Sequence, residues 1–117
     1  MNTLNRTFLL NQLALLDAIK ARPKMYLRDG STECLQGIRD IVNIMYGYEF
    51  RGNPNKEYQF MSEFNIYLEN TYPDIYLSIL GMESVIEKKC DQSAGRRGPW
   101  DTFFALVADF RASILAK

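Results

Sequence analysis

The sequence contains no histidine. That removes the side chain whose ordinary titration lies nearest neutrality, the commonest metal ligand, and the Ser-His and Cys-His nucleophile pairs. Carboxylate or lysine chemistry remains open, but the expectation is a protein that is not an enzyme. Cysteine is nearly as scarce. Cys34 and Cys90 are too far apart for a metal-ligand spacing and too few for a disulfide framework. Both read as reduced core or surface thiols of a cytoplasmic protein. Apolar runs reach only a few residues, against the roughly 20 that cross a bilayer, so no membrane role is expected. The first 30 residues lack the basic-then-apolar pattern and small-residue cleavage site of a secretory signal. Glycine-rich phosphate loops, framed carboxylate pairs and metal-ligand clusters are missing too, so neither a cofactor nor a metal is expected.

What is present is a well-furnished core. The chain has 117 residues, 47% hydrophobic and 13% aromatic, which excludes wholesale disorder and suits one domain over residues 1–117. Net charge is zero but unevenly spread. Residues 1–56 carry eight Lys/Arg against five Asp/Glu, and residues 88–117 carry six against three. Between them, residues 57–87 hold six acids and no base: Glu57, Glu63, Glu69, Asp74, Glu83 and Glu87. Such asymmetry points to a protein partner with a basic face more than to direct contact with nucleic acid. Solvated surface acids paired with nearby lysines are the plainer explanation.

The chain turns on Arg22-Pro23-Lys24-Met25-Tyr26-Leu27. Upstream, Phe8, Leu9, Leu15, Leu16 and Ile19 recur at helical spacing and predict a helix over Leu4–Ala21, with Asn11, Asp17 and Lys20 toward water. Pro23 lacks an N–H and clashes with the preceding turn, so the break is expected at Arg22. Met25, Tyr26 and Leu27 then predict an apolar plug between the first two helices. Arg28-Asp29-Gly30-Ser31 reads as a turn with Ser31 as a cap. A second helix over Thr32–Tyr48 is expected to bury Leu35, Ile38, Ile41, Val42, Met45 and Tyr46, with Gly37 permitting a close crossing. Gly47–Pro54 reads as a loop.

A third helix, Asn55–Tyr72, is expected to bury Phe60, Met61, Phe64, Tyr67 and Leu68, and to end at Asn70-Thr71-Tyr72-Pro73-Asp74. Ile75–Cys90 reads as a fourth helix, although its opening also suits a short strand. Asp91–Gly98 reads as a polar loop. Pro99 fits a first helical position and Asp101 the positive end of the dipole, so a last helix starts there and carries Phe103, Phe104, Leu106, Val107, Phe110 and Ile114. The expected fold class is an all-α, single-domain bundle of about five helices.

The central acidic segment is the candidate binding site. Glu57, Glu63, Glu69 and Asp74 interleave with Tyr58, Tyr67, Tyr72 and Tyr76. Clustered acids steer a basic partner, and tyrosines, here Tyr72 and Tyr76, supply stiff anchoring area. The competing explanation is that the tyrosines are half-buried packing with their hydroxyls at the rim. A loop bearing Arg96-Arg97, beside Lys88-Lys89, is a weaker candidate for touching a phosphate.

Two families share parts of this pattern. The stretch Leu16–Leu27 resembles the amino-terminal corner of DNA gyrase B-type ATPases, in which an "RPGMYIG" turn precedes the helix that supplies ATP-site residues. Asp40 and Asn43 fall at roughly that place. The downstream Asp-x-Gly motif and the glycine-rich lid are missing, and the resemblance would imply a nucleotide-binding, helix-on-sheet domain. The second resemblance covers most of the chain. It takes in the corner at Arg22–Leu27, the helix start at Ser31 and Leu35, and Gly47-Tyr48. The aromatic helix with Phe60 and Phe64 and the late Phe103-Phe104-x-Leu106 helix with Phe110 complete it. This order looks like small helical immunity proteins encoded beside polymorphic bacterial toxins, including those of contact-dependent growth inhibition. Lys24 and Arg28 stand where that family often has glycine. The resemblance implies a cytoplasmic, non-catalytic protein that neutralises a cognate toxin domain, in many cases a nuclease acting on RNA or tRNA through a basic cleft. It assigns no interface residue, because immunity surfaces differ between pairs. A helical adaptor with an unrelated protein partner is the alternative.

Overall fold

A computed structural model of the chain describes residues 7–27, 35–53, 58–76, 81–92 and 98–115. Among these residues there are six helices and no strand: α1 (Thr7–Ala21), α2 (Pro23–Tyr26), α3 (Leu35–Gly52), α4 (Phe60–Thr71), α5 (Met82–Gln92) and α6 (Pro99–Leu115). The fold is all-α, as the periodicity predicts. No described helix is long and apolar enough to cross a membrane.

α1 buries Phe8, Leu9, Leu13, Leu16 and Ile19 on one face, leaving Asn11, Asp17 and Lys20 exposed. It stops where proline demands. The Arg22 N–H still reaches Ala18 O at 3.0 Å, and Pro23 then opens the single turn of α2, closed by Leu27 N–H to Pro23 O at 2.8 Å. The expected plug is not there. Met25 is 69% and Tyr26 40% exposed, and only Leu27 enters the core. One isolated turn leaves its side chains outside; the extended residue that follows it points inward.

α3 runs four residues beyond its expected end and takes in Gly47 through Gly52, which had read as a loop. Ile38, Ile41 and Met45 are buried and Leu35 and Val42 half-buried, whereas Tyr46, expected inside, is 53% exposed. The buried line continues from Met45 to Glu49, one turn on. At the far end, a side chain at Gly52 would meet the Phe8 ring at 3.3 Å, so α1 and α3 approach closely there. Ser31 and the start expected at Thr32 lie outside the described residues.

α4 begins at Phe60, later than expected: Tyr58 and Gln59 are non-helical, and 54–57 lie outside the described residues. It buries Phe60, Met61, Phe64 and Leu68, and Tyr67 is half-buried. These rings interlock with α6. Phe60 and Phe64 stack at 4.9 Å between centroids, while Phe110 meets Phe60, Phe64 and Tyr67 edge-on at 5.5–5.9 Å and Phe103 meets Phe64 at 5.9 Å. α6 starts at Pro99 and buries all six of its expected apolar residues. The helix expected from Ile75 does not begin there: residues 73–75 form a turn, 77–80 lie outside the described residues, Gly81 is in a turn and α5 opens at Met82. α5 then extends through Asp91 and Gln92, the start of the expected polar loop. Val85 and Ile86 of α5 join one hydrophobic cluster with residues of α1, α3, α4 and α6. Among the described residues, the ion pairs Asp17–Arg111 (α1–α6) and Arg39–Glu83 (α3–α5) span helices.

Candidate functional site

Among the described residues, a buried polar node is built at the start of α4. Gln59 precedes the helix without capping it through its side chain. Two distant helices supply the acceptors instead. Phe60 N–H donates to Gln12 Oε1 of α1 at 2.7 Å, and Met61 N–H donates to Glu49 Oε2 of α3 at 2.9 Å. Gln12 Nε2 donates to the same Glu49 oxygen at 2.7 Å. A carboxylate at a helix N-terminus also meets the positive end of the dipole. Gln12 is fully buried and Glu49 is 6% exposed. Glu49 Oε1 has no hydrogen-bond partner among the described residues. This node locks α1, α3 and α4 in register. Sequence reading missed it, although both residues sit in phase with the apolar face of their helix.

That register sets what α3 shows to solvent. Arg39, Asn43, Tyr46 and Phe50, spaced four, three and four, share one outward face. Phe50 is 90% exposed, although it belongs to a helix whose opposite face is core. Beside it, a cleft of about 610 Å³ is lined by Tyr46, Phe50, Arg51 and Gln59.

A second cleft, about 580 Å³, lies between α3, α4 and the start of α5. Arg39 and Glu83 line it and bind each other through two contacts, 2.8 and 3.3 Å. That hydrogen bond, with the guanidinium's charge, holds the Glu83 carboxyl below its usual value despite the opposing effect of burial. Tyr76 also lines this cleft. Its hydroxyl donates to Asn65 Oδ1 at 3.0 Å, and Asn65 Nδ2 in turn donates to Met61 O at 2.7 Å. Its ring lies against Gly81, which has φ +50°; a Cβ there would meet the phenol oxygen at 3.3 Å. Burial foremost, then the negative charge of Glu69 and the neighbouring Tyr46, push the Tyr76 hydroxyl pKa up.

The structure therefore joins Tyr76 of the acidic segment to α3 across this cleft, with Glu69 exposed one turn beyond Asn65 on α4. Tyr72 faces elsewhere. Lys89 Nζ sits 4.5 Å from its ring centroid, and burial, then Tyr67 and Asp109, raise its hydroxyl pKa. Asp74 is exposed in the turn after α4, and Glu63 is half-buried in the first turn of α4. Glu57 lies outside the described residues, as do Arg96 and Arg97. Of the ATPase-like pair, Asp40 accepts a hydrogen bond from Gln36 along α3 at 2.9 Å, and Asn43 is exposed in the 580 Å³ cleft. The described residues contain no strand with which to build the sheet that this resemblance implies. Among them, no group of three or more His, Cys, Asp or Glu is placed to hold a metal ion.

Comparison with protein-family models, with curated proteins and with solved structures returned no match. The clefts offer groups that can take part in recognition. Phenols, carboxamides, one ion pair and exposed aromatic faces form hydrogen bonds, attract cations and bury area against another surface.

Proposed function

We propose that this chain is an immunity protein that binds a cognate bacterial toxin domain, a nuclease with a basic cleft, and neutralises it by covering that cleft. The observation that carries this reading is the outward face of α3. Phe50 and Tyr46 stand exposed on a long helix that is pinned from behind by the Gln12–Glu49 node. Rigid aromatic side chains that need no rearrangement before contact are the usual anchors of tight protein interfaces. Glu69 and Asp74, exposed on and just after α4, add charge that speeds the approach of a basic partner. The resemblance to small helical immunity proteins supports the same reading.

The test is growth rescue. The carboxy-terminal toxin domain encoded directly upstream is co-expressed with this protein, and an unrelated immunity protein serves as control. Specific rescue with a co-purifying complex is expected. Phe50→Ala should weaken the complex by about 2 kcal/mol, roughly 30-fold. Failure of rescue by soluble, expressed protein would refute the immunity reading and favour a helical adaptor.

A further inference from the structure

The 580 Å³ cleft between α3, α4 and the start of α5 has two tyrosines in its walls and room for a side chain from a partner. We infer that it receives an arginine presented by the protein partner, its guanidinium held at Tyr46 and Tyr76 and its charge answered by Glu69. This rests on the protein-binding reading above and names the contact that the partner makes.

Three observations lead there. The first is the charge balance. Among the described residues that line the cleft Arg39 is the one cation, and Glu83 meets it with two contacts at 2.8 and 3.3 Å. Glu69 lies one turn beyond Asn65 on the same face of α4, and its negative charge is felt at the Tyr76 hydroxyl. Within the described lining Arg39 and Glu83 balance each other, and the exposed Glu69 carboxylate, just outside that lining on α4, adds a negative charge at this end of the cleft.

The second is the aromatic walls. Tyr46 and Tyr76 both line the cleft. Tyrosine faces attract cations, and this chain already uses such contacts internally, with Lys89 over Tyr72 at 4.5 Å and Lys20 over Phe104 at 5.5 Å. A guanidinium suits the cleft better than an ammonium. It is planar, stacks on phenol rings and directs several N–H donors outward at once.

The third is preorganisation. Tyr76 is not a loose flap. Gly81, in the left-handed region, lets its ring lie close, and the 3.0 Å hydrogen bond to Asn65 fixes its hydroxyl. Asn65 is itself tied to Met61 O at 2.7 Å. The phenol oxygen of Tyr76 keeps lone pairs for a further donor, and the Asn43 carboxamide is exposed on the opposite wall. Acceptors and rings are thus in place before anything binds, which lowers the entropy cost of binding.

The experiment needs no toxin, so its outcome is separable from that of the rescue assay. N-acetyl-arginine amide is titrated into isotopically labelled full-length protein, and the side-chain amide signals of Asn43 and Asn65 are followed by NMR. N-acetyl-citrulline amide, the same shape without charge, and N-acetyl-lysine amide are the comparison probes. The expected result is saturable shifts with the arginine compound at millimolar concentration and at least tenfold weaker binding of citrulline, with lysine between them. Glu69→Gln and Tyr46→Ala, both at exposed positions, should each weaken arginine binding several-fold while leaving the rest of the spectrum unchanged. Equal binding of citrulline, preference for lysine, shifts that bypass Asn43 and Asn65, or indifference to both substitutions would each overturn the assignment. If the inference holds, the same Glu69→Gln change should lower affinity for the cognate toxin; loss of the inference would leave rescue by the wild-type protein untouched.

Discussion

Replacing Gln12 by leucine tests the idea that the two buried polar residues hold the bundle in register. Leucine nearly conserves volume, so the cavity contribution is small. Three contacts disappear, the weakest of them from Gln12 Nε2 to Met45 Sδ at 3.7 Å. Phe60 N–H loses its acceptor at 2.7 Å and becomes a buried donor without a partner, which costs about 1–3 kcal/mol. Glu49 loses the 2.7 Å hydrogen bond to Gln12 Nε2, and bonds to a charged acceptor are worth about 1.5–3 kcal/mol. The expected loss is about 3–5 kcal/mol, a large share of the roughly 5–15 kcal/mol that a domain has in total. Equilibrium urea unfolding, followed by far-ultraviolet circular dichroism at neutral pH, reads this as a lower midpoint at unchanged slope. Amide exchange should accelerate first at residues 60–62, where α4 loses its borrowed cap. Glu49→Leu removes the other half of the node, and the double variant should be less destabilised than the sum of the single variants by about 1–3 kcal/mol, because the two side chains touch. A loss below about 1 kcal/mol for Gln12→Leu, or strict additivity, would refute the reasoning.

Gly81→Ala places a side chain at φ +50° and 3.3 Å from the Tyr76 phenol, so about 1–2 kcal/mol of stability should be lost, with a matching change in the Tyr76 environment by NMR. Glu83 has its pKa lowered in the folded state by Arg39, so its contribution is present above the ordinary carboxylate value of 4.5 and is lost as pH falls through the lowered folded-state value. The pair is partly solvated, which limits the effect to about 1 kcal/mol or less; denaturation midpoints against pH for wild type and Arg39→Gln should converge in acid. Tyr72 and Tyr76 have raised pKa values, so the sign is opposite. Their contribution is whole below the ordinary value of 10 and is lost as pH rises through the folded-state values, and Tyr76→Phe should flatten that alkaline loss.

Much of the helical plan is a local property and can be read from the chain. Apolar residues at 3.6-residue spacing place α1, α4 and α6, and their buried residues are largely those expected. Prolines punctuate with equal clarity: Pro23 ends α1 and Pro99 opens α6, because a residue without an N–H fits only where no backbone donor is needed. Gly47 and Gly52 misled for the same local reason. Glycine costs about 1 kcal/mol in a helix, yet α3 passes through Gly47 and ends only at Gly52, since the last turn buries Glu49 against α1 and α4 and Gly52 admits the Phe8 ring.

The tertiary structure decided the rest. Helical spacing on α3 suits a face through Tyr46 as well as one through Glu49, and only contact with α1 and α4 selects the second. That choice turns Tyr46 and Phe50 to solvent and creates the candidate binding surface. The two tyrosines expected as anchors are also parted by the tertiary structure. Tyr72 and Tyr76 are four residues apart, but the turn at 73–75 sends one toward Lys89 and the other toward α3. A polar residue in phase with an apolar stripe, such as Gln12 or Glu49, announces in the sequence that something must satisfy it. Which backbone N–H does so depends on residues 12 and 48 positions away, and no local pattern carries that distance.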